Sequence, residues 1–170
     1  MSFYPDYSDT DVTGWDMMWF RPAAAVPLYT DGWPGGIEIH AVGALYSAAK
    51  KVQETLDLGV ADATNGNAEL QFTAGKLIAP ISKTNLNIKG NTVVKIPAGD
   101  SSFTLTINAS AGTFSGTFLP NWASQAATKP VFKGVLLQKG SRKGGFGYFL
   151  SNAKNDPDPE SGGVTLSAPQ

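Results

Sequence analysis

Residues that could do acid–base or nucleophilic chemistry are few in this sequence. The chain contains one histidine, His40, and no cysteine. A pair of histidine ligands and any cysteine-ligated metal are therefore excluded, and a Ser-His-Asp site would have to use His40. His40 follows Glu38 in the alternating stretch "IEIHAV", which predicts a position on the solvent face of a strand.

Carboxylates form two groups, one near each end of the chain. The groups are Asp6, Asp9 and Asp11, and Asp156, Asp158 and Glu160. Oxygen ligands of this kind can hold Ca²⁺, and the second group is the weak calcium candidate, but neither has the spacing of an EF-hand loop. We predict solvated loops and no metal site. A pair of carboxylates for glycoside hydrolysis stays open, because separation in space cannot be read from sequence.

Two tryptophans fall in segments with the composition of loops. Trp33 lies in "TDGWPGG" and Trp122 in "LPNWASQ". Indole rings can stack on the apolar faces of sugars, and Asn121, Gln125 and Asp31 are close enough in sequence to hydrogen-bond sugar hydroxyls. The alternative is that these rings are lids over the ends of a β-sheet core, because large aromatic side chains are usually buried.

Composition limits the class of protein. The 170 residues suffice for one domain with a real core and hardly for two. The 13 Lys and Arg against 14 Asp and Glu leave a net charge of −1. General binding of nucleic acid relies on excess positive charge, so we expect no nucleic acid as a partner. No apolar run reaches the ~20 residues of a membrane helix, so we expect no membrane insertion.

Hydrophobic patterning predicts a single all-β domain over residues 1–170. Residues 1–14 read as an acidic N-terminal loop, and residues 15–66 as upstream strands with a short helix in "GALYSAAKKVQETL". In the strand "WDMMWF", strict alternation places Trp15, Met17 and Trp19 on one face.

Residues 67–170 consist of short apolar runs separated by Gly, Asn, Asp or Pro. This spacing is typical of an antiparallel meander. We expect a barrel or a tightly curled sandwich of about 8–10 short strands, with at most one short helix in the whole chain.

The stretch "KGSRKGGFGYFL", residues 139–150, combines basic residues, glycines and aromatics as an RNA-recognition strand does. Gly144 stands where that motif needs Lys or Arg, and the flanking chain predicts only strands. The nearby runs "FSGTF" and "FKGVL" share a Phe-x-Gly-x-apolar pattern, which leaves a gap at each glycine for an aromatic ring of a neighbouring strand. We therefore predict a structural hairpin of the meander.

Several of these segments resemble a C-terminal β module of very large exported proteins of verrucomicrobial and planctomycete-type bacteria. The similar segments are residues 106–118, 132–138, 145–149 and 161–166. The upstream part "WFRPA…VPLYTDGWPGGIEI…VGALY" is similar to the family's Trp-x-(Lys/Arg)-Pro…Gly-Ser-x-Tyr segment, with Ala44 in the Ser place. The likeness covers most of residues 15–167, and the acidic start and the long turn "NDPDPESGG" depart from it.

The resemblance implies an exported or cell-surface β module, often the tail of a longer chain, and carries over no catalytic residue. The start "MSFYPDYSDTD" is unlike a signal peptide, so export would need a signal elsewhere in a longer parent, and a cytoplasmic protein is the alternative.

Two functions stay open from the sequence. The first is a non-catalytic binding or structural module of an exported bacterial protein, with carbohydrate as the leading ligand class. The second is a small hydrolase that acts on esters or glycosides through carboxylates or His40. We expect no cofactor, and the expected partners are a glycan and the rest of a longer parent chain.

Overall fold

The computed structural model describes residues 2–4, 11–26, 28–48, 50–124, 128–152 and 158–169. Over these residues the chain is mostly β. The strands are β1 Ser2–Tyr4, β2 Val12–Arg21, β3 Trp33–Gly43, β4 Ala68–Ala74, β5 Ile81–Lys89, β6 Thr92–Lys95, β7 Thr106–Asn108, β8 Thr113–Thr117, β9 Val131–Leu137, β10 Gly144–Leu150 and β11 Ser161–Ser167. The helical elements are α1, Val52–Thr55, and a 3-10 turn, Gly140–Arg142.

Eight strands form one antiparallel sheet in the order β6-β5-β4-β11-β10-β9-β8-β7. The last strand, β11, returns to pair with β4, and the end strands β6 and β7 lie next to each other. The strands therefore follow one another in chain order around a nearly closed barrel. Lys95 of β6 donates a hydrogen bond to the carbonyl oxygen of Phe103, just before β7, at 3.2 Å. The predicted antiparallel meander is confirmed, and it forms a barrel.

Phenylalanine rings fill the interior of the barrel. Phe72 stacks on Phe118 with ring centroids 3.9 Å apart and an angle of 11° between the planes. Phe149 meets Phe118 edge-on at 4.9 Å. The buried phenylalanines are Phe72, Phe103, Phe114, Phe118, Phe132 and Phe149. Because large aromatic side chains bury the most apolar surface per residue, these rings dominate the burial free energy of the core.

Glycines on β8 and β9 make room for these rings. In the strand register, Phe114 pairs with Gly134, and Gly116 pairs with Phe132. A Cβ atom on Gly134 would lie 2.3 Å from the Phe114 ring, and one on Gly116 would lie 2.6 Å from the Phe132 ring. Both distances are far below van der Waals contact, so each ring occupies the space above a glycine. The predicted Phe-x-Gly packing between neighbouring strands is confirmed.

The remaining strands form a separate antiparallel sheet in the order β1-β2-β3. Residues 2–4 and 12–14 differ from the loop predicted for residues 1–14, because β1 pairs with β2 and β2 already begins at Val12. Trp33 also differs, because it is the first residue of β3 and not part of a loop.

A β-bulge in β2 changes which side chains share a face. The register shifts between Gly14 and Met17, so that Trp15 and Asp16 both lie opposite His40. Asp16 adopts the left-handed conformation, with φ at 54°. Because a bulge inserts one residue, Trp15 faces the same side as His40, with ring centroids 4.9 Å apart, and not the side of Met17. The predicted strict alternation along "WDMMWF" is wrong at this point.

The helix predicted within residues 43–56 is reduced to α1. The segment before α1 is instead bound to the barrel. The hydroxyl of Tyr46 donates to a backbone carbonyl between β7 and β8 at 2.8 Å, and the N–H of Ser47 donates to Oε1 of Gln138 at 2.7 Å. Lys51, the N-cap residue of α1, makes no capping hydrogen bond with its side chain. The local sequence therefore gives a longer helix little support. Within the described residues, no helix has the length and apolar character needed to cross a membrane.

Polar contacts tie the small sheet to the barrel. Asp11, just before β2, accepts the N–H of Leu45 and forms an ion pair with Lys139 after β9. The hydroxyl oxygen of Tyr29 accepts the backbone N–H of Ser161 on β11 at 2.8 Å.

We expect Gly134→Val and Gly116→Val each to lower the free energy of unfolding by about 1–3 kcal/mol, because the added side chain displaces a core ring. Gly35→Val on β3 is the matched control, since nothing lies within 4 Å of its Cβ position. Denaturant unfolding monitored by circular dichroism measures the change. Unchanged stability in both barrel variants would contradict the packing described here.

Asp11→Asn tests the connection between the small sheet and the barrel. The hydrogen bond from Lys139, and then that from the Leu45 N–H, hold the pKa of the Asp11 carboxyl below its usual value of 3.8. A group whose pKa is lower in the folded state stabilises the fold above its unfolded pKa and loses that contribution as pH falls through its folded pKa. We therefore expect the variant to melt earlier than the wild type at neutral pH, and the difference to vanish in strong acid. Thermal melts across the acid range measure this, and a pH-independent difference is the contrary result.

Candidate functional site

Trp122 lies in the core of the barrel. Its side chain is only 9% exposed and packs among the buried hydrophobic residues. The indole Nε1–H donates to the carbonyl oxygen of Gly75 at 2.9 Å. A ring held in this way has no face available for a sugar, so its placement corrects the prediction and matches the alternative of a core lid.

Trp33 packs on the small sheet. Its ring centroid lies 5.2 Å from that of Trp19 and 5.1 Å from that of Tyr29. The guanidinium carbon of Arg21 lies 5.8 Å from the same centroid. Trp33 is therefore on the small sheet and Trp122 is in the core of the barrel, and the structure does not bring the predicted pair of tryptophans together.

The polar residues predicted to accompany the tryptophans are also divided between the two sheets. Asp31 is exposed in the turn before β3. Asn121 donates from Nδ2 to the carbonyl oxygen of Ala79 at 3.0 Å, in the loops beside the barrel. Gln125 lies outside the described residues.

The acidic groups are only partly described. The described members are Asp11, Asp158 and Glu160, and those outside the described residues are Asp6, Asp9 and Asp156. In the part of the chain that the structure describes, no three His, Cys, Asp or Glu side chains meet as a metal site would require. Glu160 is held through its backbone N–H, which donates to the hydroxyl of Ser151 at 2.8 Å.

His40 is on an exposed face of the small sheet, as predicted. Its Nε2 lies 3.5 Å from Oε1 of Glu38, and both side chains are about half exposed. The ring of Trp15 packs edge-on against the imidazole. The described neighbours of the imidazole are thus a carboxylate and an indole. His40 is an exposed residue of the strand.

The outer face of the β9–β10 hairpin carries exposed aromatic rings. Gly145 and Gly147 face the barrel interior, so Phe146 and Tyr148 face outward on β10. They are 41% and 54% exposed. In the register, Tyr148 pairs with Lys133 of β9. Neighbouring exposed apolar side chains of this kind often mark a binding surface.

These rings border a groove on the outer face of β7, β8, β9 and β10, which we call the outer groove. Its volume is about 600 Å³. Its apolar side chains come from β9 and β10, and its hydroxyl and amide side chains from β7 and β8. The outward-facing residues that line it are Thr106, Asn108, Thr113, Ser115, Lys133, Val135, Phe146 and Tyr148.

The polar row of the outer groove runs across the strands. Thr106 pairs with Ser115, Ser115 pairs with Lys133, and Lys133 pairs with Tyr148. The side chain of Asn108 is held by its own turn, where Oδ1 accepts the N–H of a following residue at 3.1 Å. The arrangement therefore presents hydrogen-bonding groups on one side and aromatic rings on the other.

Charge is distributed unevenly over the hairpin. At its turn, Lys139 forms an ion pair with Asp11, and Lys143 forms one with Asp57. Lys139 and Lys143 thus contact other parts of the folded chain, as expected for a structural hairpin. Lys133 is exposed in the outer groove, and within the described residues no ion pair forms on it.

A second hollow of about 430 Å³ adjoins the outer groove. Its lining residues are Pro130, Val131, Lys133, Tyr148, Leu150 and Asn152. Because Lys133 and Tyr148 line both spaces, the two hollows form one surface along the outer face of β9 and β10.

The sequence pattern contained a signal for this surface. If Phe132 and Gly134 face inward, then Lys133 must face outward, and the same alternation places Phe146 and Tyr148 outside. The stretch of residues 139–150 that is similar to an RNA-recognition strand contains both of these rings.

Comparisons with protein families, with characterised proteins and with solved structures find no significant match to this chain. The resemblance noted for residues 15–167 therefore stays a prediction.

Trp122→Ala is expected to lower the free energy of unfolding by about 3–5 kcal/mol, because it leaves a cavity in the core and an unpaired carbonyl on Gly75. Trp19→Ala, which removes a half-exposed indole from the small sheet, is the control and should have a much smaller effect. Chemical denaturation measures both. A Trp122→Ala protein as stable as the wild type would contradict the role of Trp122 in the core and would make it a candidate ligand contact.

Proposed function

We propose that this chain is a non-catalytic carbohydrate-binding module, and that the sugar lies in the outer groove. The observation that carries the proposal is the position of two exposed aromatic rings, Phe146 and Tyr148, beside a row of hydroxyl and amide side chains. The ligand class is the one expected from the sequence, but its proposed site is the β9–β10 hairpin and not the tryptophans.

The chemistry of the outer groove suits a sugar ring. A pyranose has an apolar face of C–H groups, which can lie on an aromatic ring, and a rim of hydroxyl groups. Thr106 and Ser115 offer hydroxyls that both donate and accept hydrogen bonds, as sugar hydroxyls require, and Asn108 offers its amide N–H groups while its Oδ1 accepts bonds within the turn. Although several lining side chains are polar, most of the exposed lining surface is apolar, as is usual for a small-molecule site.

The barrel holds these side chains in place before a ligand arrives. Phe146, Tyr148 and Lys133 stand on paired strands whose register is fixed by the core, and not on loops. A site on rigid strands loses little conformational freedom on binding, which helps a ligand that makes few contacts.

The setting that we propose is an exported or cell-surface bacterial protein of which this chain is one module. The resemblance of residues 15–167 to the tail modules of large exported proteins supports this setting. The absence of cysteine is compatible with it, since such a fold needs no disulfide.

Single-stranded nucleic acid is the competing ligand class, because bases also stack on exposed aromatic rings beside a basic groove. Two observations favour sugar. The net charge of the chain is −1, and the lysines at the hairpin turn are paired with carboxylates. A single-stranded RNA oligonucleotide is therefore tested beside the polysaccharides.

Tyr148→Ala and Phe146→Ala test the proposal by affinity electrophoresis against soluble xylan, galactan and polygalacturonate. Full burial of an aromatic side chain is worth about 1.5–3 kcal/mol, and each ring is already about half buried, so each variant should weaken binding by roughly three- to tenfold. Neither should shift the melting temperature much, because both rings are exposed. Phe20→Ala on β2, 60% exposed and outside the groove, is the matched control and should bind as the wild type does.

Two results would contradict the proposal. One is wild-type protein that binds none of these polysaccharides but binds a single-stranded RNA oligonucleotide in a Tyr148-dependent way. The other is polysaccharide binding that is unchanged in Tyr148→Ala and in Phe146→Ala and is lost in Trp33→Ala.

A further inference from the structure

The position of Lys133 indicates what kind of glycan the outer groove would take. Lys133 is at the middle of β9, and its register partners are Ser115 on one side and Tyr148 on the other. It is exposed, and it lines both the outer groove and the adjoining hollow. A ligand that fills both spaces must therefore pass over Lys133.

Lys133 is also the one charged residue among the described residues that line the two hollows. No carboxylate of the described residues lines these hollows with it, whereas Lys139 and Lys143 each have an acidic partner. A lysine ammonium group offers hydrogen-bond donors and no acceptor, so its best partner in a ligand is an anionic oxygen.

The extent of the surface favours a chain over a single sugar. Along β9 it runs from Val131 to Val135, which corresponds to roughly 13 Å at the rise of a β-strand. This length exceeds one sugar ring. Tyr148, which lines both hollows, would then lie under one sugar ring, while Lys133 contacts a substituent of the neighbouring sugar.

We infer that the ligand of this surface is an anionic polysaccharide, with a carboxylate or sulfate group held by Lys133 and a neighbouring sugar ring stacked on Tyr148. This inference rests on the proposed carbohydrate-binding function and deepens it.

The test compares each charged polymer with a neutral polymer of the same backbone. Polygalacturonate is paired with its carboxyl-reduced form, and dextran sulfate with dextran. Lys133→Met removes the charge and keeps most of the apolar stem. Lys89→Met, at an exposed position of β5 outside both hollows, is the matched control with the same change in net charge.

We expect the wild type to bind one charged polymer about tenfold or more tightly than its neutral form, a difference that corresponds to one hydrogen bond to a charged group. Lys133→Met should abolish this preference, and Lys89→Met should keep it. Preference for polygalacturonate assigns a carboxylate, and preference for dextran sulfate assigns a sulfate. The melting temperature of Lys133→Met should equal that of the wild type.

The outcomes separate this inference from the proposed function. Equal binding of the charged and neutral polymers, with loss in Tyr148→Ala, would overturn the inference and leave a neutral-glycan site. A preference that Lys89→Met weakens as much as Lys133→Met does would mean general charge attraction, and it also overturns the inference. Binding of none of the polymers, or of an RNA oligonucleotide alone, would overturn both.

Discussion

The packing of phenylalanine rings across glycines is the constraint on which the rest of this structure depends. Phe114 occupies the space above Gly134, and Phe149 lies only 2.2 Å from the Cβ position of Gly162 on the next strand. Because only glycine leaves that space, a slip of one residue between neighbouring strands would place a side chain inside a ring. The same contacts that fill the core therefore also fix the register of β8 to β11 and, through the pairing of β11 with β4, the closure of the barrel.

The outer groove is a consequence of this interior. Strand alternation leaves no choice for the residues between inward glycines, so Phe146 and Tyr148 must face solvent once Gly145 and Gly147 face the core. The hairpin thus presents aromatic rings on a rigid surface, at the cost of keeping apolar area exposed. The lysines at its turn are paired with Asp11 and Asp57, and Lys133 supplies the positive charge of the groove. Core packing and strand alternation thus together determine the surface to which we propose that the sugar binds.

Much of the barrel could be predicted from the sequence, because alternation and the Phe-x-Gly pattern act between neighbouring residues and neighbouring strands. The bulge at Asp16 could not, since it depends on how β2 pairs with β3. Trp122 follows a proline and an asparagine and therefore reads as part of a loop, yet its burial depends on a carbonyl 47 residues away. The outer groove combines side chains from four separate strands, and only the sheet order brings them together.

The most direct test of the central claim is a nuclear magnetic resonance titration of the isotope-labelled protein with an oligogalacturonate. This measurement locates a bound sugar without any substitution. The account predicts that the largest shifts of backbone amide and lysine side-chain signals lie on β9 and β10, at Lys133, Val135, Phe146 and Tyr148. Shifts concentrated around Trp33 and Asp31 on the small sheet, with β9 and β10 unaffected, would contradict it.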